Sequence, residues 1–294
     1  MKNQFGGLIV PLVTPFAEGK IDYVSLGQIM EYCKEGGADG YVCLGTTAES
    51  PTLSEKEKDE MILFCLENAG GLPVIAGAGS NCTADAVRRT KRACFLGASG
   101  VLSVCPYYNK PPESGIIAHF CAVADAAPLP VILYDVPSRA GVQISVDAIY
   151  KLSGLPNIVG VKAAGDDEKK LERIAEFAGE EFALFCGNDF LTTKALSLGA
   201  AGLISAAANV LPAFFSEIIT LIKNGNAGEA EELFLSYAEL LSALYSETNP
   251  VAIKYALSLL RLAKNELRLP MCPVSRKNGE KIKRALGEKI KEIL

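Results

Sequence analysis

Short apolar runs alternate along this chain with longer amphipathic stretches, and the rhythm holds for most of its length. Gly7–Val13 is an apolar run suited to a strand buried on both faces, and Tyr23–Glu35 follows with helical spacing. The same pair of signals then recurs. Strands are predicted at Gly40–Leu44, Pro73–Ala76, Val101–Val104, Pro130–Tyr134, Ile158–Val161, Phe182–Cys186 and Gly202–Ser205, each with a helix behind it. The second helix starts at a Ser54/Glu57 capping box; later ones start near Thr83, Ser114, Val146 and Asp167. Three helix-to-strand connections share one form, Gly-Ala-x-Gly before an apolar strand: GGADGYVCLG, LGASGVLSV and LGAAGLISA. The first glycine suits a left-handed helix stop and the second a close approach of strand to helix. About eight such units predict an α/β fold, a closed (β/α)8 TIM barrel, over residues 1–225. An open doubly wound sheet would carry GxGxxG in its first turn, which is missing. Residues 226–294 read as helix only, with Pro250 as a first-turn residue, and predict an appended C-terminal helical domain.

Composition narrows the classes of function. Of 294 residues 49% are apolar and 21% charged, which suits a globular chain with a large core. A net charge of -5 and a pI near 5.2 give no basic surface for nucleic acid or an anionic membrane. His119 is the single histidine, so a histidine triad or His-rich metal site is excluded, and no metal is expected. The nine cysteines are scattered, odd in number and without a CxxC pair, which suits reduced thiols rather than a disulfide framework. No secretory h-region or membrane-spanning run is present, and the expected location is the cytoplasm.

In barrel enzymes chemistry gathers at the C-terminal ends of the strands. NIVGVKAAGDD places Lys162 at the end of the sixth strand, before a Gly-Asp-Asp turn. A partly desolvated lysine amine can attack a carbonyl and form a Schiff base; a strand-end lysine can also simply reach into water. The other strand ends weigh the choice. The second carries Gly45-Thr46-Thr47, able to hold a carboxylate or to form an ordinary hydroxyl turn. The fourth opens into Tyr107-Tyr108 within a proline-bounded loop. The fifth supplies Tyr134, beside Lys162 in strand order, and Arg139, a bidentate carboxylate ligand or a surface ion-pair partner. The seventh gives Gly187-Asn188-Asp189, and the eighth Ile204 followed by small residues and Asn209. Together these describe a Schiff-base lyase for a small anionic oxo-acid.

GTTAES, PYYNKPPESG, YDVPSRAG, VGVKAAG and GLISAAANV resemble the motifs of the dihydrodipicolinate synthase family, a class I pyruvate-aldolase group that includes N-acetylneuraminate lyase. TNPVAIKYAL resembles the family's helical tail. The resemblance implies condensation of pyruvate with L-aspartate 4-semialdehyde to 4-hydroxy-tetrahydrodipicolinate, on the route to diaminopimelate and lysine, without a cofactor. It implies Lys162 as the Schiff-base residue and Tyr134, Thr46 and Tyr108 as a proton relay, Tyr108 reaching into a neighbouring subunit of a homotetramer built as a dimer of dimers. Thr47 would hold the pyruvate carboxylate, Arg139 that of the semialdehyde, and Gly187 and Ile204 would supply main-chain contacts. Arg139 separates this reading from the runner-up, cleavage of a sugar acid or 4-hydroxy-2-oxo acid, whose polyol substrates have no use for it. Ser50, Asn81, Asp85 and Tyr107 match a lysine-inhibition site at the dimer interface, with Asp85 in place of a glutamate. Glu55 and Lys58 stand where strongly inhibited enzymes carry histidines, which implies weak or absent inhibition. Two positions depart from the family pattern: Ala48 replaces a glycine, and Ala163 stands where glutamate is common.

Overall fold

The structure, a computed structural model, describes residues 3–293; the ends of the two expected segments, Met1, Lys2 and Leu294, lie outside them. Eight parallel strands close into a barrel: β1 Gly7–Pro11, β2 Gly40–Cys43, β3 Val74–Gly77, β4 Gly100–Val104, β5 Val131–Asp135, β6 Ile158–Ala163, β7 Ala183–Cys186 and β8 Gly202–Ile204. Each neighbours the next in sequence, and β8 returns to pair with β1 through Gly7↔Gly202, Leu8↔Leu203 and Ile9↔Ile204. Helices α1 Tyr23–Glu35, α2 Glu55–Asn68, α3 Thr83–Leu96, α4 Glu113–Ala124, α5 Val146–Ser153, α6 Glu168–Ala175, α7 Thr192–Ser197 and α8 Pro212–Lys223 follow the strands in turn. A small antiparallel ladder, Phe16–Ala17 with Lys20–Ile21, sits between β1 and α1.

The repeated Gly-Ala-x-Gly connection does what its glycines allow. Gly37, Gly97 and Gly199 take φ of 88°, 94° and 89°, in the left-handed region that ends a helix without a Cβ clash. The second glycine opens a strand each time, and at Gly202 a Cβ would lie 2.1 Å from the Gly7 carbonyl oxygen. A side chain there would force open the seam where the barrel closes.

Two apolar regions result. Ile9, Val42, Ile75, Leu102, Ile132, Val159, Phe185 and Ile204 fill the barrel, while a larger shell packs helices on its outside. His119 on α4 is buried edge-on to Phe120, and burial pulls it down to about 4, so it is neutral at neutral pH. Cys33, Cys43, Cys65, Cys105 and Cys186 are buried and all nine thiols are free.

Beyond the barrel lie α9 Ala227–Ser236, α10 Ala238–Leu244, α11 Val251–Leu259 and α12 Arg276–Ile293. The periodic stretch AGEAEELFLSYAELLSALYS is thus two helices, broken at Tyr237 (φ -105°, ψ 2°). The Tyr237 ring packs tilted against Phe214, centroids 4.3 Å apart, so turning the chain there keeps the aromatic contact. Pro250 precedes α11 as its cap residue rather than lying in its first turn. Among the described residues no helix is long and apolar enough to cross a membrane.

Buried charge ties this helical segment to the barrel. Lys254 of α11 is fully buried, with Nζ 2.6 Å from Glu49 Oε1, 2.8 Å from the Thr14 carbonyl oxygen and 4.2 Å from the Phe16 ring centroid. Glu49 Oε2 accepts from the Arg268 backbone N–H at 3.0 Å, and the Arg268 guanidinium grips Glu57 of α2. The Arg268 bonds, aided by the Ser54 cap, hold the Glu57 carboxyl down at about 2. A carboxyl depressed on folding stabilises above its ordinary value of 4.5, and that contribution is lost as pH falls toward 2. Thermal melts of the wild type and Glu57→Gln should therefore differ at neutral pH and converge as pH drops from about 4.5 toward 2. A constant gap across that range would exclude ionisation as the source.

Candidate active site

Every residue of β6 from Ile158 to Lys162 is buried, because the strand is covered by barrel interior on one side and helices on the other. Lys162 is the last residue but one of the strand, in register with Tyr134 of β5. It is 6% exposed, with Nζ 4.6 Å from the centre of the Tyr134 ring. The amine lies against the face of its neighbour's ring, and among the described residues it makes no ion pair. On the other side runs Gly187, where a Cβ would come within 2.6 Å of Lys162 Cε and 2.8 Å of Cγ. The lysine stem occupies the space that only glycine leaves.

Both neighbours open into a cavity of about 750 Å³ at the C-terminal mouth of the barrel. That size suits a small-molecule site. Thr46, Thr47, Tyr134, Arg139, Lys162 and Gly187 all line it. The threonines follow β2 in a single 3-10 turn, Thr46–Ala48, fastened by Thr14 Oγ1 donating to the Ala48 carbonyl at 2.7 Å. Arg139 rides on one helical turn, Pro137–Ala140, whose first position is the conformationally suited proline. At the base of that turn Asp135 is buried, paired with Lys170 and accepting from the Ile144 N–H at 2.8 Å.

Two of the expected residues stand elsewhere. Tyr108 is 87% exposed, outside the cavity, on a backbone of φ 74° that a non-glycine residue rarely adopts. Ile204 is buried among the barrel's interior side chains and does not line the cavity. The four residues matched to an inhibition site also lie outside this cavity. Ser50 lines a second cavity of about 260 Å³ with Glu55, Lys58, Asp59 and three arginines. Asp85 pairs with Arg88, the Asn81 carbonyl accepts from Asn109, and Tyr107 packs partly buried on the core.

Sequence reasoning missed one wall completely. The segment Tyr245–Asn249, between α10 and α11, lines the cavity opposite the strand ends. Asn249 Nδ2 donates to Thr47 Oγ1 at 3.0 Å, and its carbonyl accepts from Arg139 Nη2 at 3.1 Å. One residue thus joins the threonine turn to the arginine turn. Asp189 was visible in its stretch but without a function; it is 4% exposed, and Oδ2 accepts from Ser205 Oγ at 2.8 Å, the Ala207 N–H at 3.2 Å and the Tyr245 hydroxyl. Burial pushes its carboxyl upward against those bonds and the nearby Lys162 charge. Burial, with Asp189 beside it, also holds the Tyr245 phenol well above its ordinary value. Asn209 clasps β1 by donating to the Pro11 carbonyl at 2.9 Å and accepting from Val13. Burial pushes the Cys186 thiol up to about 12, which leaves it protonated and no rival nucleophile to Lys162.

The model of the dihydrodipicolinate synthetase family matches residues 4–289. The chain belongs to this family. It is 40% identical to a 4-hydroxy-tetrahydrodipicolinate synthase of Aquifex aeolicus, covering 96% of this chain and 97% of that protein. Among solved structures, a dihydrodipicolinate synthase from Aquifex aeolicus superposes with a TM-score of 0.94 at 40% identity, covering 97% of this chain and 98% of the other. A chloride-inhibited dihydrodipicolinate synthase from Acinetobacter baumannii, complexed with pyruvate, gives 0.94 at 36% identity over 98% of this chain and 99% of that one. Family membership accounts for the barrel and for helices after it. The cavity wall from Tyr245 to Asn249 belongs to those later helices' connections.

Proposed function

We propose that this chain is a Schiff-base lyase that condenses pyruvate with L-aspartate 4-semialdehyde to 4-hydroxy-tetrahydrodipicolinate. The observation that carries the reading is Lys162, sunk in β6 against the Tyr134 ring at the floor of a cavity that also holds Arg139 and both threonines. The lysine amine attacks the pyruvate keto carbon, water leaves, and an iminium forms. Loss of a methyl proton converts it to an enamine, whose carbon attacks the semialdehyde aldehyde. Tyr134 and Thr46 pass the protons, with Tyr108 of a neighbouring copy completing the relay. Its 87% exposure and strained backbone support a place across an interface, in a homotetramer arranged as a dimer of dimers. Thr47 holds the pyruvate carboxylate, and Arg139 that of the semialdehyde.

The nearest competing activity is aldol cleavage of a sugar acid or 4-hydroxy-2-oxo acid by the same lysine. Steady-state turnover with each co-substrate separates them: the semialdehyde should be consumed and N-acetylneuraminate left intact. Cleavage of the sugar acid without semialdehyde turnover would overturn the proposal. Arg139→Ala should lower kcat/KM for the semialdehyde by about 10–100-fold, the loss expected for a charge-assisted hydrogen-bonded pair. Trapping of pyruvate on Lys162 should be unchanged in the same variant. Equal losses for both substrates would place Arg139 in the fold rather than at the second carboxylate.

A further inference from the structure

The proposed reaction does not end with carbon–carbon bond formation. To release Lys162 and close the heterocycle, the semialdehyde nitrogen must attack the carbon that bears Nζ. That nitrogen arrives as an ammonium, and an ammonium has no lone pair. A base is required near Lys162.

Two carboxylates line the cavity, Asp189 and Glu247. Glu247 Oε1 accepts from the Ser275 N–H at 2.8 Å, Ser275 Oγ at 2.6 Å and Asn278 Nδ2 at 2.9 Å, bonds that hold its carboxyl below the ordinary value. Glu247 is therefore a weak base. Asp189 differs in burial and in place. It follows Gly187, whose backbone lies against the Lys162 stem, and its carboxyl senses the Lys162 charge. All three of its side-chain hydrogen bonds converge on Oδ2, which is turned into the wall. Oδ1 makes no hydrogen bond among the described residues, in a side chain that lines the cavity. Burying a carboxylate is costly unless something compensates it, and Lys162 makes no ion pair that would do so directly. A buried carboxyl with one oxygen anchored and the other free is built to take a proton.

We propose that Asp189 is a further catalytic residue, the base for ring closure. Oδ1 takes a proton from the semialdehyde ammonium, and the freed amine attacks the iminium carbon to give a geminal diamine. The attacking nitrogen passes a second proton to Nζ, the bond from that carbon to Nζ breaks, and Nζ leaves as a neutral amine. The product departs as the protonated cyclic imine, which loses its last N–H proton to water as Asp189 also returns its proton to water. Atoms and charge balance with water as the only outside acceptor. Tyr245 and Ser205 position the carboxylate through Oδ2. The charged or titratable groups that bear on it are Lys162 from β6, Cys186 from β7 and Tyr245 from the α10–α11 connection.

This inference rests on the proposed condensation, and the test separates the two. Wild type and Asp189→Asn are mixed with pyruvate and semialdehyde, quenched, and the intact masses read alongside steady-state rates. The variant should trap pyruvate on Lys162 with borohydride as wild type does, turn over about 10²–10⁴-fold more slowly, and accumulate Lys162 carrying both carbon skeletons. Tyr245→Phe, which strips one donor from Oδ2 and leaves the carboxylate more basic, should move the acid limb of kcat to higher pH without altering pyruvate trapping. Wild-type turnover with an equally active Asp189→Asn, or slow turnover with only the pyruvyl adduct, would overturn the role of Asp189. An Asp189→Asn protein that fails to fold leaves the Tyr245→Phe profile to decide, and an unmoved acid limb there also overturns it. A wild type that never consumes semialdehyde would instead remove the proposed function beneath it.

Discussion

Lys162→Ala should lose at least about 10⁴-fold in turnover while keeping its fold, because removing the proposed covalent nucleophile removes the path and not only a contact. The residue reaches the cavity from a strand whose other buried positions are apolar, so truncating its stem leaves the barrel framework in place. One feature predicts that the loss is chemical. The stem lies in the space beside Gly187, and a shortened side chain there leaves room but no strain. Pyruvate should still bind reversibly, through Thr47 and its turn. Kinetics beside circular dichroism and a thermal melt would check this, and a variant with more than a hundredth of wild-type activity would show that another group performs the attack.

Lys254→Met should have the largest effect on stability, a loss of roughly 3–5 kcal/mol. The substitution removes one partner of a fully buried pair and strands Glu49, itself 3% exposed, without its counter-charge. Burial pulls the Lys254 amine down and Glu49 opposes it, so the two charges depend on each other. The consequence reaches the site. Glu49 has a left-handed backbone (φ 51°) directly after the turn that carries Thr46 and Thr47. Loosening it should raise KM for pyruvate as well as lower the melting temperature. Replacing both partners, Lys254→Met with Glu49→Leu, should recover much of the stability, since an apolar pair needs no desolvation of charge. The pyruvate KM should stay raised. Chemical denaturation of the single and double variants, with pyruvate kinetics on each, would check both parts; equal stability of Lys254→Met and wild type would show the pair to be dispensable.

Much of this architecture was legible because it depends on local rules. Apolar runs bounded by glycine and proline gave each strand to within a few residues, and the capping box at Ser54 is formed as read. The Gly-Ala-x-Gly connection was legible for the same reason, its φ values being a property of three or four consecutive residues. The break at Tyr237 was not, because helical periodicity continues across it and the aromatic contact with Phe214 that favours the turn is long-range.

The site divides along the same line. Lys162, Tyr134, Thr46, Thr47, Arg139 and Gly187 sit at strand ends, where the barrel's geometry alone gathers them into one cavity. Asn249 and Tyr245 lie in a connection between helices far along the chain, and nothing local marks a polar residue there as buried against Thr47 or Asp189. Glu49 and Lys254 read as ordinary charges in sequence; only packing makes them a buried pair. Tyr108 shows the converse. Its loop is legible, but in one copy of the chain the side chain is exposed and stands away from the cavity, so its proposed role would need a partner.

The central claim is that Lys162 carries pyruvate covalently, and borohydride reduction tests it most directly. Treated with borohydride and pyruvate together, the enzyme should lose activity and carry the reduced three-carbon adduct on the peptide containing Lys162, with neither reagent alone sufficient. No adduct, or one on another lysine such as Lys254, would contradict the account and return Lys162 to the role of a structural residue in β6.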